Sequence, residues 1–150
     1  MSLWEQINED LKKAMKEKDK YKLEALRAIK SQLLLLKTAE GGSGEITDEA
    51  ALKVLQKMVK QRKESAQLYK ENGREDLAEE ELMQAKYIEQ YLPKQMSEQE
   101  LQEYLKALID KLGAKSMRDM GKVMSVAMKE LAGKADGKVI SSIVKRLLSN

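Results

Sequence analysis

Lys134 and Lys138 flank Asp136 in the stretch LAGKADGKV, and the chemistry open to them is anion binding. If Asp136 caps a helix, the free N–H groups at that terminus and the two ammonium groups together would suit a phosphate; an ordinary Gly-Asp corner between two helices would use the same residues. Lys115, Arg118, Lys122, Lys145 and Arg146 lie on either side of this corner. Over the last forty residues nine Lys and Arg stand against three Asp and Glu, a net charge of +6, whereas residues 1–96 balance at eighteen of each. Such asymmetry suits a surface that neutralises a phosphate backbone and releases its counterions. It is also the composition of a solvated helical face. The basic segment contains no aromatic residue on which a splayed base could stack, so it points to shape and backbone contacts with folded RNA rather than sequence readout.

Other chemistries are poorly supplied. Cys and His are both absent, which removes thiolate and imidazole metal ligands, a cysteine nucleophile and every serine-histidine triad. No G-x-x-x-x-G-K-[ST] cradle occurs, since GGSG lacks the following lysine. Glu79, Glu80 and Glu81 are adjacent, and adjacent residues on a helix point in different directions, so they read as a solvated face rather than an acid/base or metal pair. The sequence therefore predicts no catalytic residue, no metal and no cofactor.

The elements that must position the basic residues are helices. Leu, Ala, Met, Lys and Glu dominate the 150 residues and Phe is absent, a composition of straight side chains that lose little rotamer freedom in a helix. Leu3, Ile7, Leu11 and Met15 repeat at helical spacing until KEKDK; Leu23, Leu26, Ile29, Leu33 and Leu36 form a second stripe. The leucine run 33–36 covers more than one side of its helix, as a buried hairpin or a partner surface would. AEGGSGE at 39–45 reads as a flexible loop. Thr47 or Asp48 can cap a third helix carrying Leu55, Val59, Arg62, Ala66 and Tyr69; Asn72-Gly73 turns the chain. A fourth helix then presents Leu77, Ala78, Leu82, Ala85, Ile88 and Leu92.

Pro93, the only proline, disfavours continuing that helix, and Ser97 with Glu100 makes the S-x-x-E start of another. Tyr87, Tyr91 and Tyr104 bracket this junction, with rings suited to sealing two domains. Leu101, Leu105, Leu108 and Leu112 define helix five. Ser116 and Asp119 repeat an S-x-x-D cap before Met117, Met120, Met124 and Met128, either a core face or an adaptable groove for a partner helix. Asp136 can cap the last helix, with Ile140, Ile143, Val144 and Leu147 inward. The expectation is an all-α protein, with an N-terminal domain of about four helices over 1–92 and a three-helix domain over 97–150. No run approaches the roughly 20 apolar residues of a membrane span and no signal-peptide pattern opens the chain, so no membrane and a cytoplasmic location are expected.

Several segments in order, SLWEQINEDLKKAMKEKDKYKLEALRAIKS, KQRKESAQLYKENGREDLAEEE, YLPKQMSEQEL, SMRDMGKVM and GKADGKVISSIVKRLL, resemble the YqeY family. These are stand-alone proteins related to the C-terminal domain of the B subunit of glutamine-dependent aminoacyl-tRNA amidotransferases. The resemblance covers nearly the whole chain and departs at the short glycine-rich AEGGSGE and at Ser125, where the family more often carries glycine. It implies a contact with tRNA through the C-terminal domain, with Lys115, Arg118, Lys122, Lys134, Lys138, Lys145 and Arg146 as phosphate contacts. A tRNA-modifying or translation-associated protein is the second kind of partner implied. The family label of carbon–nitrogen ligase with glutamine as amido-N-donor implies an activity for which this chain lacks a glutaminase Cys, an amidase Ser-Ser-Lys arrangement and an ATP site. A non-catalytic RNA-binding accessory protein, a protein-interaction adaptor and that ligase are the three readings.

Overall fold

The computed structural model describes residues 1–38 and 44–149. Among them are seven α-helices, one 3-10 turn and no strand, the all-α class that the composition calls for. Of the glycine-rich loop expected at 39–45, residues 39–43 lie outside the described residues. The chain divides into two compact units, Met1–Pro93 and Lys94–Asn150, each with its own core.

The first unit contains α1 (Leu3–Glu17), α2 (Lys20–Thr38), α3 (Asp48–Glu71) and α4 (Glu75–Glu89). Ser2 caps α1 by accepting the Glu5 N–H at 3.2 Å, and the Asp48 carboxylate accepts the Leu3 N–H at 2.9 Å, joining the starts of α1 and α3. The break within KEKDK is made by Lys18, which takes the left-handed conformation without being glycine (φ 57°). Asp19 then opens α2, accepting the Lys22 N–H at 3.2 Å. Thr47, rather than Asp48, caps α3 through the Ala50 N–H. Gly73 (φ 73°) supplies the positive φ of the turn, and the Arg74 N–H donates back to the Tyr69 carbonyl.

Ile7, Leu26, Ile29, Leu33, Leu55 and Ile88 are fully buried in the core of this unit. Ala66, Ala78 and Ala85, also buried, let α3 and α4 approach closely. Arg62, on the inward stripe of α3, is satisfied rather than exposed: its Nε donates to Gln84 Oε1 at 3.0 Å. Leu82, expected on the apolar side of α4, is instead 37 % exposed, because the alanines beside it already fill the narrow contact. Only Leu33 of the leucine run is fully buried; Leu34 and Leu35 are 40 % and 60 % exposed.

The second unit contains α5 (Glu98–Leu112), the 3-10 turn Met117–Asp119, α6 (Met120–Glu130) and α7 (Gly137–Ser149). Ser97 and Glu100 form a reciprocal capping box, and Gly113 (φ 67°) ends α5. Leu101, Leu105, Val123, Leu131, Ile140 and Val144 are buried between the three helices. Truncating such a leucine to alanine costs about 2–5 kcal/mol, so this small core depends on every layer.

Candidate nucleic-acid interface

Local hydrogen bonding sets both ends of α6. The sequence predicts a helix opening at Met117; the structure makes a 3-10 turn there and begins α6 at Met120. Ser116 Oγ accepts the Arg118 N–H at 3.3 Å, and the Asp119 carboxylate folds back onto the Lys115 N–H at 2.9 Å. With the Asp119 N–H donating to the Ser116 carbonyl at 2.9 Å, these short spacings wind the chain with fewer residues per turn than an α-helix. That Lys115 N–H holds the Asp119 carboxyl below the usual carboxylate range, with a smaller push from Lys122 and Arg118. Lys122 itself donates its ammonium to the Leu112 carbonyl at 3.1 Å, satisfying one of the bare carbonyls at the end of α5.

The hinge between α6 and α7 is held on both sides. Gly133 is buried with φ 77°, and its carbonyl accepts Gln95 Nε2 at 2.6 Å. The Met96 N–H donates to the Lys134 carbonyl at 3.0 Å. Asp136 caps α7: its carboxylate accepts the Lys138 N–H at 2.9 Å. The cap therefore places a negative charge where a phosphate at that terminus would sit. Met128 packs over the same end, its Cε 3.0 Å from where a Cβ on Gly137 would stand.

All seven basic residues named from the sequence are exposed, and among the described residues none is ion-paired with a carboxylate. They do not form one patch. Lys134 and Lys138 sit at the hinge, while Lys115, Arg118 and Lys122 gather around Asp119 at the opposite end of α6, about 16 Å away at helical rise. The 3-10 turn packs on α7, and α7 runs away from the hinge, so Lys145 and Arg146 lie towards that far end. Between the two groups runs the outer face of α7, where Lys138, Ser142, Lys145, Arg146 and Ser149 are exposed. No acidic residue occurs anywhere in this helix.

The remaining features of the sequence have structural employment. Met120, Met124 and Met128 pack partly buried against the core of the second unit, and Met117 is 42 % exposed. Glu79 and Glu80 are exposed, and among the described residues no group of three or more Asp and Glu is placed to hold a metal ion. The Tyr91 hydroxyl donates to Asp10 at 2.5 Å, and Tyr87 to Asp19 at 3.4 Å. Burial, reinforced by Asp10, pushes the Tyr91 phenol well above its ordinary value. The Tyr104 hydroxyl is buried without a hydrogen-bond partner among the described residues. Sequence reasoning missed Gln95 as the clamp of the hinge, because nothing local links it to Gly133.

A family model described as "Yqey-like protein" matches residues 4–148. "Altered inheritance of mitochondria protein 41, mitochondrial" from Pyrenophora tritici-repentis is 30% identical over 147 residues, covering 95% of this chain and 78% of that protein. The protein of the same name from Clavispora lusitaniae is 34% identical over 115 residues, 75% of this chain and 66% of its own length. That from Saccharomyces cerevisiae is 33% identical over 136 residues, 86% and 68% respectively. These relatives are named as mitochondrial proteins, which overturns the cytoplasmic expectation drawn from the sequence. That inference failed because the lack of cysteine and of a long apolar span describes the chain's chemistry without selecting among aqueous compartments. Among the described residues no helix is long and apolar enough to cross a membrane.

Proposed function

The chain belongs to the YqeY family, and from that membership we propose that it is a non-catalytic RNA-binding accessory protein whose second unit grips the backbone of structured RNA, tRNA in the first instance. The observation that carries this reading is the acid-free outer face of α7, where Lys138, Lys145 and Arg146 are exposed together with Ser142 and Val139. Ammonium and guanidinium groups neutralise phosphates while the Ser142 hydroxyl can donate to a phosphate oxygen, that of Ser149 being committed to the Lys145 carbonyl at 2.7 Å, and none of these contacts depends on base identity. Lys134 extends the surface at the hinge. Lys115 and Arg118 extend it at the far end, where Asp119 partly offsets their charge. Lys122 is committed to the Leu112 carbonyl and contributes least. The ligase reading is placed last because the sequence offers neither a glutaminase Cys, nor an amidase Ser-Ser-Lys arrangement, nor an ATP site.

Equilibrium binding of the purified chain to deacylated and aminoacylated tRNA, with duplex DNA as competitor, tests this. Micromolar or tighter binding that resists the competitor is the expected result. Indiscriminate binding that vanishes near physiological salt would overturn it. In that event the protein-interaction adaptor is the better reading, favoured by Leu34 and Leu35, which α2 leaves exposed.

A further inference from the structure

In the first unit two lysines converge on one aromatic ring. Lys30 Nζ lies 5.9 Å and Lys37 Nζ 5.6 Å from the centroid of Trp4. Seven residues apart on α2, they share one face at a separation of about 10 Å along the axis, and both bring an ammonium group over the same indole ring. From Ala25 to Thr38 this helix carries Arg27, Lys30 and Lys37 and no carboxylate. The neighbouring carboxylate of Asp48 is turned onto the Leu3 N–H. Among the described residues neither lysine has an ion-pair partner; the ring is what each of them meets. An exposed cation–π contact contributes only about 0.5–1 kcal/mol, which leaves most of the attraction of each ammonium for an anion unspent.

Trp4 is also held in place. Its ring packs partly buried on the core, its carbonyl accepts Asn8 Nδ2 at 2.9 Å, and the Ser2 and Asp48 caps fix the turn that carries it. A fixed aromatic ring with two ammonium groups over it, neither ion-paired among the described residues, matches the chemistry of an unpaired nucleotide whose flanking phosphates draw the lysines off the ring as the base takes their place against it.

We propose that Trp4, Lys30 and Lys37 form a contact site for an unpaired nucleotide of single-stranded RNA. This site supplies the aromatic surface that the basic segment of the second unit lacks. It does not rest on the reading of α7.

Trp4 is the only tryptophan, so intrinsic emission reports on this site directly. The full chain is titrated with a short oligouridylate over a range of salt concentrations, while the anisotropy of a labelled copy follows binding independently. Saturable quenching is expected. Lys30→Gln with Lys37→Gln should weaken binding about tenfold and lower the salt slope by about 1.4, two phosphates' worth for a single strand. Lys138→Gln, Lys145→Gln and Arg146→Gln together should leave the quenching in place. The proposal is overturned if emission does not change as the oligouridylate is added, or if the double variant binds with unchanged affinity and slope. It is equally overturned if quenching disappears only in the α7 variant. In that last case the reading of the second unit would survive, whereas failure of tRNA binding with the quenching intact would leave this site standing alone.

Discussion

The Asp136 carboxylate accepts the Lys138 N–H at 2.9 Å, so the first turn of α7 already holds an anion of its own. A phosphate near Lys134 and Lys138 must bind beside that charge rather than in the helix terminus. Asp136→Asn should separate the two roles. Asparagine caps as well as aspartate, so the α7 cap itself should be kept. tRNA affinity should rise by up to about fivefold, the worth of one repulsive charge near a phosphate in water. Titration and thermal melting of one preparation check both halves, and unchanged or weaker affinity would argue against phosphate contact at the hinge.

Lys122 and Lys138 should respond differently to the same change. Lys122→Gln removes the donor to the Leu112 carbonyl and should cost about 0.5–1.5 kcal/mol of stability, with little change in the salt dependence of RNA binding. Lys138→Gln should leave stability alone and lower the salt slope by about 0.9. Denaturant unfolding paired with salt titration distinguishes the two, and the reverse pattern would contradict the assignment.

These differences mark where the sequence was legible. Helical stripes such as Ile140, Ile143 and Val144, and caps such as Ser97 with Glu100, are set by residues within one or two turns, so their spacing carries the information. The Ser116–Asp119 pattern misled because it does not reveal which N–H a short carboxylate takes; Asp119 reaches Lys115, and the chain tightens into a 3-10 turn. Lys122 with Leu112, Gln95 with Gly133, and Trp4 with Lys30 and Lys37 are contacts made by tertiary packing, and periodicity carries no trace of them. Among the seven basic residues, sequence could name them all but could not divide them between the two ends of α6.

Gly133 is the stiffest constraint in the hinge. It is buried at φ 77°, a conformation that costs a side chain roughly 1–2 kcal/mol. Gly133→Ala should lower the stability of the second unit by about that amount, and more if the Gln95 bond is displaced. Chemical denaturation followed by far-UV circular dichroism would show it, and a neutral outcome would mean that the hinge relaxes freely.

Acid should loosen the second unit through two carboxylates that accept backbone N–H groups, Glu100 in the α5 capping box and Asp119 in the turn before α6. Glu100 is lowered below its ordinary value of 4.5 chiefly by the Ser97 N–H, and Asp119 below 3.8 chiefly by the Lys115 N–H. A carboxyl whose folded value is depressed contributes stability that is full above its unfolded value and lost as pH falls through the folded one. The melting temperature should therefore hold down to about pH 5 and decline below about pH 4. Glu100→Gln combined with Asp119→Asn should flatten that decline, and an unchanged acid limb in this variant would remove these two carboxylates as its cause.

Binding of an RNA phosphate backbone by the outer face of α7 can be read from the salt dependence of tRNA binding, compared between the unaltered chain and the Lys138→Gln, Lys145→Gln, Arg146→Gln variant. Weaker binding to every tRNA tried is expected, with the slope reduced by about 2.7, or about 0.9 for each of the three phosphates no longer neutralised. An unchanged slope, with the variant folded and binding as before, would contradict phosphate recognition by α7.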